Sequence, residues 1–381
     1  MVTSIPLFKI AWDEDDLASV NSVIARGTSW ANGPEIEFFE QKLADYIDVK
    51  YSVTFNSGTS ALHALFLAHG IGSGDEVIVP SFTFIATANA CIFVGAKPVF
   101  ADIESDLFGL DPDSVNEKIT PKTKAIMPIH YGGFPCRIRA LKEIADDNGL
   151  LLIEDNAESL GARVGGKRTG SFGDSAILSF CQNKIISTGE GGSAVTESKE
   201  IYSKLKLIRS HGRVEEGDYF STWKNFDYTS LGYNFRMPSM VAGLGISQLK
   251  KIQELITLRR RIAESYRKSL SRIKAIEAPK HYDDHYEVYQ MYTIEVPKQH
   301  RDPLMNYLSV KGIASKIYFN PVHLTPYYQE VFGHAPGELP KTEETAKRVV
   351  SIPIYPTLKD SEVQFVSEAI SAYFEAGEHE G

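Results

Sequence analysis

Lys184 combines a reactive side chain with an unusual setting. It lies in Ser179-Phe180-Cys181-Gln182-Asn183-Lys184, between the apolar run Ala176-Ile177-Leu178 and the segment Ser193-Ala194-Val195-Thr196. That pattern reads as strand, short polar turn, strand, with the lysine at the turn. An ammonium between apolar strands reaches water poorly, so its charge is costly and the neutral, nucleophilic amine is favoured. Such an amine suits a Schiff base with a carbonyl cofactor. The run Gly189-Glu190-Gly191-Gly192 lets backbone pass close to a ligand. A surface hairpin with a solvated lysine fits the same residues.

Three other stretches carry chemistry. Ile153-Glu154-Asp155-Asn156 puts an acid at the carboxyl end of an apolar strand, the edge where open α/β sheets bind ligands. A buried Asp155 there can hold a protonated ring nitrogen by a charge-assisted bond, or can cap a helix. Asn56-Ser57-Gly58-Thr59-Ser60 joins a strand to a helix, where free N–H groups and hydroxyls make an anion cradle or a plain N-cap. No Gly-Lys-Ser/Thr follows at the spacing of a P-loop. Phe84, in Pro80-Ser81-Phe82-Thr83-Phe84, can stack on an aromatic ligand or serve as a core residue.

The elements that must position these residues alternate. Strands are expected at 51–55, 76–80, 98–102, 125–129 and 150–153, with helices at 61–69, 83–94, 112–119 and 137–148 between them. This pitch predicts an α/β domain with a mostly parallel sheet. Residues 210–229 form a polar, aromatic stretch long enough for a functional loop. A basic amphipathic helix at 253–270 holds the expected boundary between a large domain, 1–255, and a smaller α+β domain, 256–381. The smaller domain is expected to carry strands at 288–296 and 314–318 and helices at 303–311 and 360–376.

The 381 residues, 43% hydrophobic and 23% charged, fit a globular protein with a sizeable core. A net charge of -9 argues against nucleic acid and anionic membrane as main partners, and no apolar run reaches the length of a membrane helix. Cys91, Cys136 and Cys181 are odd in number and form no C-x-x-C pair, which predicts reduced thiols, no zinc site and a cytoplasmic setting. Residues 1–13 show no signal-peptide pattern.

Taken in order, a phosphate cradle, a stacking ring, an acid after a strand and a later lysine resemble the fold-type I pyridoxal-phosphate enzymes. More narrowly, the chain is similar to the DegT/DnrJ/EryC1/StrS sugar aminotransferase family. The likeness also includes Gly74-Asp75-Glu76-Val77-Ile78, Gly95-Ala96-Lys97-Pro98-Val99, Gly170-Ser171-Phe172-Gly173-Asp174 and Gly232-Tyr233-Asn234-Phe235-Arg236-Met237. This resemblance implies that Lys184 bonds covalently to pyridoxal 5'-phosphate and acts as general base, and that Asp155 pairs with the pyridine nitrogen. It implies that Gly58, Thr59, Ser60 and Ser179 hold the phosphate, and that Phe84 stacks on the ring. Asn234 would reach the cofactor of a second copy, giving a homodimer with shared sites. Tyr318 and His323 fall where the family often contacts the sugar nucleotide. Many members carry Gln or His where this chain has Glu158, near the cofactor's phenolic oxygen. Glu158, with Asn183-Lys184 and Thr188-Gly189-Glu190-Gly191-Gly192, resembles the branch that aminates GDP-4-keto-6-deoxymannose at carbon 4 with L-glutamate as donor, and relatives acting on UDP-linked sugars also often carry Glu there. A UDP-linked 4-keto-6-deoxy-N-acetylhexosamine is the second candidate. A dehydratase on the same fold would replace the lysine by His, and Lys184 speaks against it.

Overall fold

The computed structural model describes residues 4–214 and 226–377. Strands, numbered in chain order, begin with β1 (Tyr51–Phe55), β2 (Glu76–Pro80), β3 (Lys97–Ala101), β4 (Thr123–Ile126) and β5 (Leu151–Asp155). After two short strands, β6 (Arg163–Val164) and β7 (Lys167–Arg168), come β8 (Ser175–Ser179) and β9 (Gly192–Thr196). Seven of these form one sheet in the order β1-β9-β8-β5-β4-β2-β3. Only β9 runs against the others, pairing antiparallel with β1 and β8. The expected α/β class with a mostly parallel sheet is therefore the observed one.

Apolar residues lie on both faces of the strands because helices cover both faces. Val77, Val79, Ile153 and Ile177 join one core with helices Gly58–Ala68, Ala86–Phe93 and Lys199–Arg209. Their strand neighbours Ile78 and Leu152 join a second core with helix Ile138–Asp147. A strand's period of two sorts these side chains. A third core joins Phe39 and Leu43 of helix Pro34–Ile47 to Leu178 and Val195.

Helix Ile252–Leu270 serves two bodies at once. Ile252, Leu255 and Ile256 pack into the core that holds Phe39, whereas Ile262, Ala263, Tyr266 and Leu270 pack into a separate core. That separate core contains β11 (Tyr292–Glu295) and β12 (Val349–Ile352), an antiparallel pair, with helices Lys298–Val310 and Asp360–Gly377. A further short strand, β10 (His285–Tyr286), pairs with β6 and ties this half of the chain to the larger body. The N-terminal segment crosses over: Ile5 bridges Ile313 and is buried in the smaller body's core. Placing the whole segment in the larger domain is thereby corrected for Ile5. The strand expected at 314–318 is reduced to one bridge, Lys316 to Ser351, because Ile5 takes the backbone of Gly312 and Ala314 instead. The helix expected at 303–311 begins five residues earlier, at Lys298, and carries Pro303 in its second turn.

Candidate active site

The chemistry-bearing residues gather at the carboxyl edge of the parallel strands. β1 leaves the sheet at Phe55 and runs into helix Gly58–Ala68, whose N-cap is Ser57. The Ser57 hydroxyl accepts from the Ser60 N–H at 3.0 Å and lies 2.9 Å from the Ser60 hydroxyl. Gly58 and Thr59 then keep first-turn N–H groups that no helical carbonyl can reach. The end of β8 closes on the same turn. A Cβ on Gly58 would lie 3.1 Å from Ser179 Cβ, and a Cβ on Gly192 would lie 2.5 Å from the Gly58 nitrogen. Glycine at 192 is thus required for β9 to pass the cradle. The cap and the cradle coexist in one turn.

Asp155 ends β5 and is buried, with 4% of its surface exposed. Its Oδ2 accepts from the Thr87 hydroxyl at 2.8 Å and its Oδ1 from the Ala157 N–H at 3.1 Å. Burial pushes its pKa above the ordinary carboxylate value; Thr87, Ala157 and Lys184 oppose that push, and Glu158 adds to it. Next to it, the fully buried Glu154 is saturated. Its Oε1 accepts from the N–H groups of Phe172 and Gly173, and its Oε2 from the Gly170 N–H and, at 3.0 Å, meets His130 Nε2.

Lys184 sits in the 180–191 connection between β8 and β9, which is longer than a tight turn and buries Phe180, Ile185 and Ile186. Its Nζ lies 3.4 Å from Glu158 Oε1. The other carboxylate oxygen of Glu158 accepts from the Gly132 N–H at 3.0 Å. Gly132 has φ of 62°, a left-handed turn that suits glycine. The Lys184 amine therefore has a carboxylate beside it, where the sequence suggested only apolar strands. The Asn183 carbonyl accepts from the Gln290 side chain. The half-buried Tyr318 is placed against this loop: its phenol faces the Asn183 side chain, and its carbonyl accepts from the Tyr131 hydroxyl. Burial raises the Tyr318 phenol's pKa, and the nearby Glu158 raises it further.

Lys184, Glu158, Asp155, Tyr318, Ser179, Gly58, Thr59 and Ser60 thus share one edge of the sheet. Phe84 follows β2 at that edge with 59% of its surface exposed, its ring 6.5 Å from Phe319. It is not a core phenylalanine. Asn234 is exposed beside Asn56, whose amide donates to the Asn234 carbonyl at 3.5 Å. Most of the aromatic stretch expected to flank it, 215–225, lies outside the described residues. His323 stands apart. It has no exposed surface, its Nδ1 is 2.7 Å from the Ser81 hydroxyl, and its Nε2 is 3.4 Å from Glu343. Its expected contact with substrate gives way to a structural one, fastening residues 322–324 to the end of β2. Burial holds its pKa below the ordinary histidine value. Sequence reasoning missed Thr87, Gly132 and Asn183. Only Asn183 had a signal, as the neighbour of the lysine.

A buried carboxylate with spare acceptor capacity, an anion-ready helix start and a lysine meet on one sheet edge, an arrangement that suits a group-transfer enzyme of the α/β class. The comparisons with known proteins make this specific. The DegT/DnrJ/EryC1/StrS aminotransferase family matches residues 11–371, and the chain belongs to that family. It is 35% identical to GDP-perosamine synthase of Vibrio cholerae over 373 residues, 97% of this chain and 99% of that one. Among solved structures, the aminotransferase TlmJ from Streptoalloteichus hindustanus has a TM-score of 0.92 and 31% identity, covering 98% of this chain and all of that one. DesV of S. venezuelae, in complex with a ketimine intermediate, has a TM-score of 0.88 and 33% identity over 97% of this chain and 98% of that one. The family's cofactor is pyridoxal 5'-phosphate, and the residues present fit it. The Gly58 turn is packed closely against Ser179 at an anion-ready helix start, and Asp155 is a buried acceptor beside the lysine.

Proposed function

We propose that this enzyme moves the amino group of L-glutamate to carbon 4 of GDP-4-keto-6-deoxymannose, yielding GDP-perosamine for surface polysaccharide. The observation that carries the reading is Glu158 held 3.4 Å from Lys184 by the Gly132 N–H, with Asp155 buried alongside. The likeness to the Vibrio cholerae enzyme supports the choice of sugar.

The Gly58 and Thr59 N–H groups with the hydroxyls of Ser60 and Ser179 would hold the cofactor's phosphate, Asp155 its ring nitrogen, and Phe84 a ring face. Pyridoxal 5'-phosphate supplies a carbonyl carbon for the lysine and a ring that withdraws electrons from the donor's α carbon. Lys184 would be the residue that bonds to the cofactor and, as a free amine, would hold and move the donor's α proton as general base. Glu158 steers the amine between these duties. Asp155 would favour a protonated ring nitrogen, and Tyr318, packed against the Asn183 loop, would orient the sugar.

The site is shared between two copies, with Asn234 completing the partner's cradle. Its exposed place beside Asn56 supports this. Mixing Lys184→Ala chains with Asn234→Ala chains should restore activity in hybrids; hybrids that form and stay inactive refute sharing. The three free cysteines support a cytoplasmic setting. The substrate is tested by loading the protein with cofactor and glutamate and comparing kcat/KM for the GDP sugar and the UDP-linked N-acetyl sugar. At least tenfold preference for the UDP sugar, about 1.4 kcal/mol of differential transition-state binding, would overturn the choice.

A further inference from the structure

Thr83 and Thr87 are both buried, at 1% exposure each, Thr87 in the first turn of helix Ala86–Phe93 and Thr83 in the bend before it. Their hydroxyls are 2.7 Å apart, and the Thr87 hydroxyl is 2.8 Å from Asp155 Oδ2. A threonine hydroxyl has one proton and two acceptor positions. With Asp155 ionised, the Thr87 proton goes to Oδ2, so Thr83 must donate to Thr87. Every hydroxyl proton then has an acceptor.

A neutral Asp155 carries one more proton, and a proton on Oδ2 reverses the chain. A protonated Asp155 that donates to Thr87 sends the Thr87 proton to Thr83, and the Thr83 proton then has nowhere to go. Among the described residues that oxygen makes no other hydrogen bond. A buried donor without an acceptor is costly. The chain therefore has a preferred direction, and that direction belongs to the carboxylate. We propose that Thr83 and Thr87 are positioning residues that hold Asp155 as an oriented carboxylate, leaving its remaining acceptor capacity for the protonated ring nitrogen.

The inference rests on the reading of Asp155 as the ring-nitrogen partner. Three other groups bear on Asp155. The Ala157 N–H and Lys184 favour its charge, and Glu158 opposes it; burial opposes it most strongly, and Thr87 is the strongest counterweight. Hydroxyl chains of this kind strengthen each member by polarisation, so Thr83 should act on Asp155 without touching it.

The test uses the full-length protein reconstituted with pyridoxal 5'-phosphate. It reads the cofactor's dissociation constant and the pH midpoint of its visible absorbance, in Thr87→Val, Thr87→Ser, Thr83→Val and Asp155→Asn. Thr87→Val should weaken cofactor binding at least tenfold and raise the midpoint, because a ring nitrogen that keeps its proton less firmly withdraws fewer electrons. Thr87→Ser should restore both values to within about twofold, and Thr83→Val should move both several-fold less in the same direction. If Thr87→Val fails to fold, Thr83→Val against Thr87→Ser decides. An unchanged midpoint and dissociation constant in the threonine variants, with a large change in Asp155→Asn, overturns the chain alone. No change in Asp155→Asn overturns the Asp155 reading beneath it.

Discussion

Glu154 and Asp155 are adjacent on one strand, and their surroundings are opposite. Glu154 points to one side of the sheet and accepts from three backbone N–H groups while facing His130. It holds the 170–173 turn in place and has no acceptor capacity left for a ligand. Asp155 points to the other side and meets one hydroxyl and one N–H. Both are buried, so both have lost their water. A carboxylate that has replaced its water with main-chain donors is a structural part. One that has replaced only half of it is ready for a cationic partner. Glu158 lies between these cases, with one oxygen on a backbone N–H and the other on Lys184.

The largest expected effect removes the partner that the open side serves. Lys184→Ala should abolish transamination while the protein still binds cofactor, and borohydride reduction followed by peptide mapping should label Lys184 in the parent. A label on another lysine would dissolve the assignment. Asp155→Asn should raise the barrier by roughly 3–5 kcal/mol, since a neutral amide no longer favours the protonated ring. Its melting temperature should stay near that of the parent. Glu154→Gln should do the converse, costing about 2–4 kcal/mol of stability by weakening a buried, saturated network, with kcat of the folded fraction little changed. Denaturant titration and active-site counting separate the two variants. Were Glu154→Gln to lower kcat at unchanged stability, the contrast between the neighbours would collapse.

Smaller effects sharpen the contrast. Glu158→Gln should keep kcat to within about tenfold, because an amide can still accept from Lys184 or Gly132. The absorbance titration of the bound cofactor should nevertheless move; a fixed titration would place Glu158 outside the chemistry. The smallest effect comes from the far end of β8, where His69 meets the Ser175 hydroxyl at 2.9 Å. Burial pushes its pKa down from 6.5 to about 4. The unfolded chain therefore binds the proton first. Stability from the neutral ring is present above pH 6.5 and is lost as pH falls toward 4. Replacing His69 with Gln should flatten stability across that window in denaturant titrations, without altering the absorbance titration of the cofactor.

Much of this was legible in the sequence because it follows from periodicity and punctuation. The strand before Asp155, the turn at Ser57 and the paired strands around Lys184 are apolar runs that end in polar or glycine-rich breaks. The partners of those residues were not legible. Glu158 meets the main chain of Gly132 and the side chain of Lys184, each 26 positions away, and a backbone N–H leaves no trace in residue type. Glu154 and Asp155 look alike as letters, and only the path of the 170–173 turn tells them apart. His323 was misread because a histidine in a loop says nothing about which way it faces. Strand β12 was missed because only Lys347 and Arg348 separate Val349-Val350-Ser351-Ile352 from helix Pro340–Ala346, with no glycine, proline or asparagine to mark the break.

The crossover of Ile5 has a consequence for how the chain is made. Ile5 and Phe374 belong to one core, which also needs β11, β12 and two later helices. During synthesis Ile5 must wait, with its apolar side chain uncovered, until β12 and the helix that holds Phe374 have emerged. The larger body can close long before that. Ile5 is then a last stitch, and a nascent protein stalled before residue 349 would hold a finished sheet with the Ile5 segment still loose.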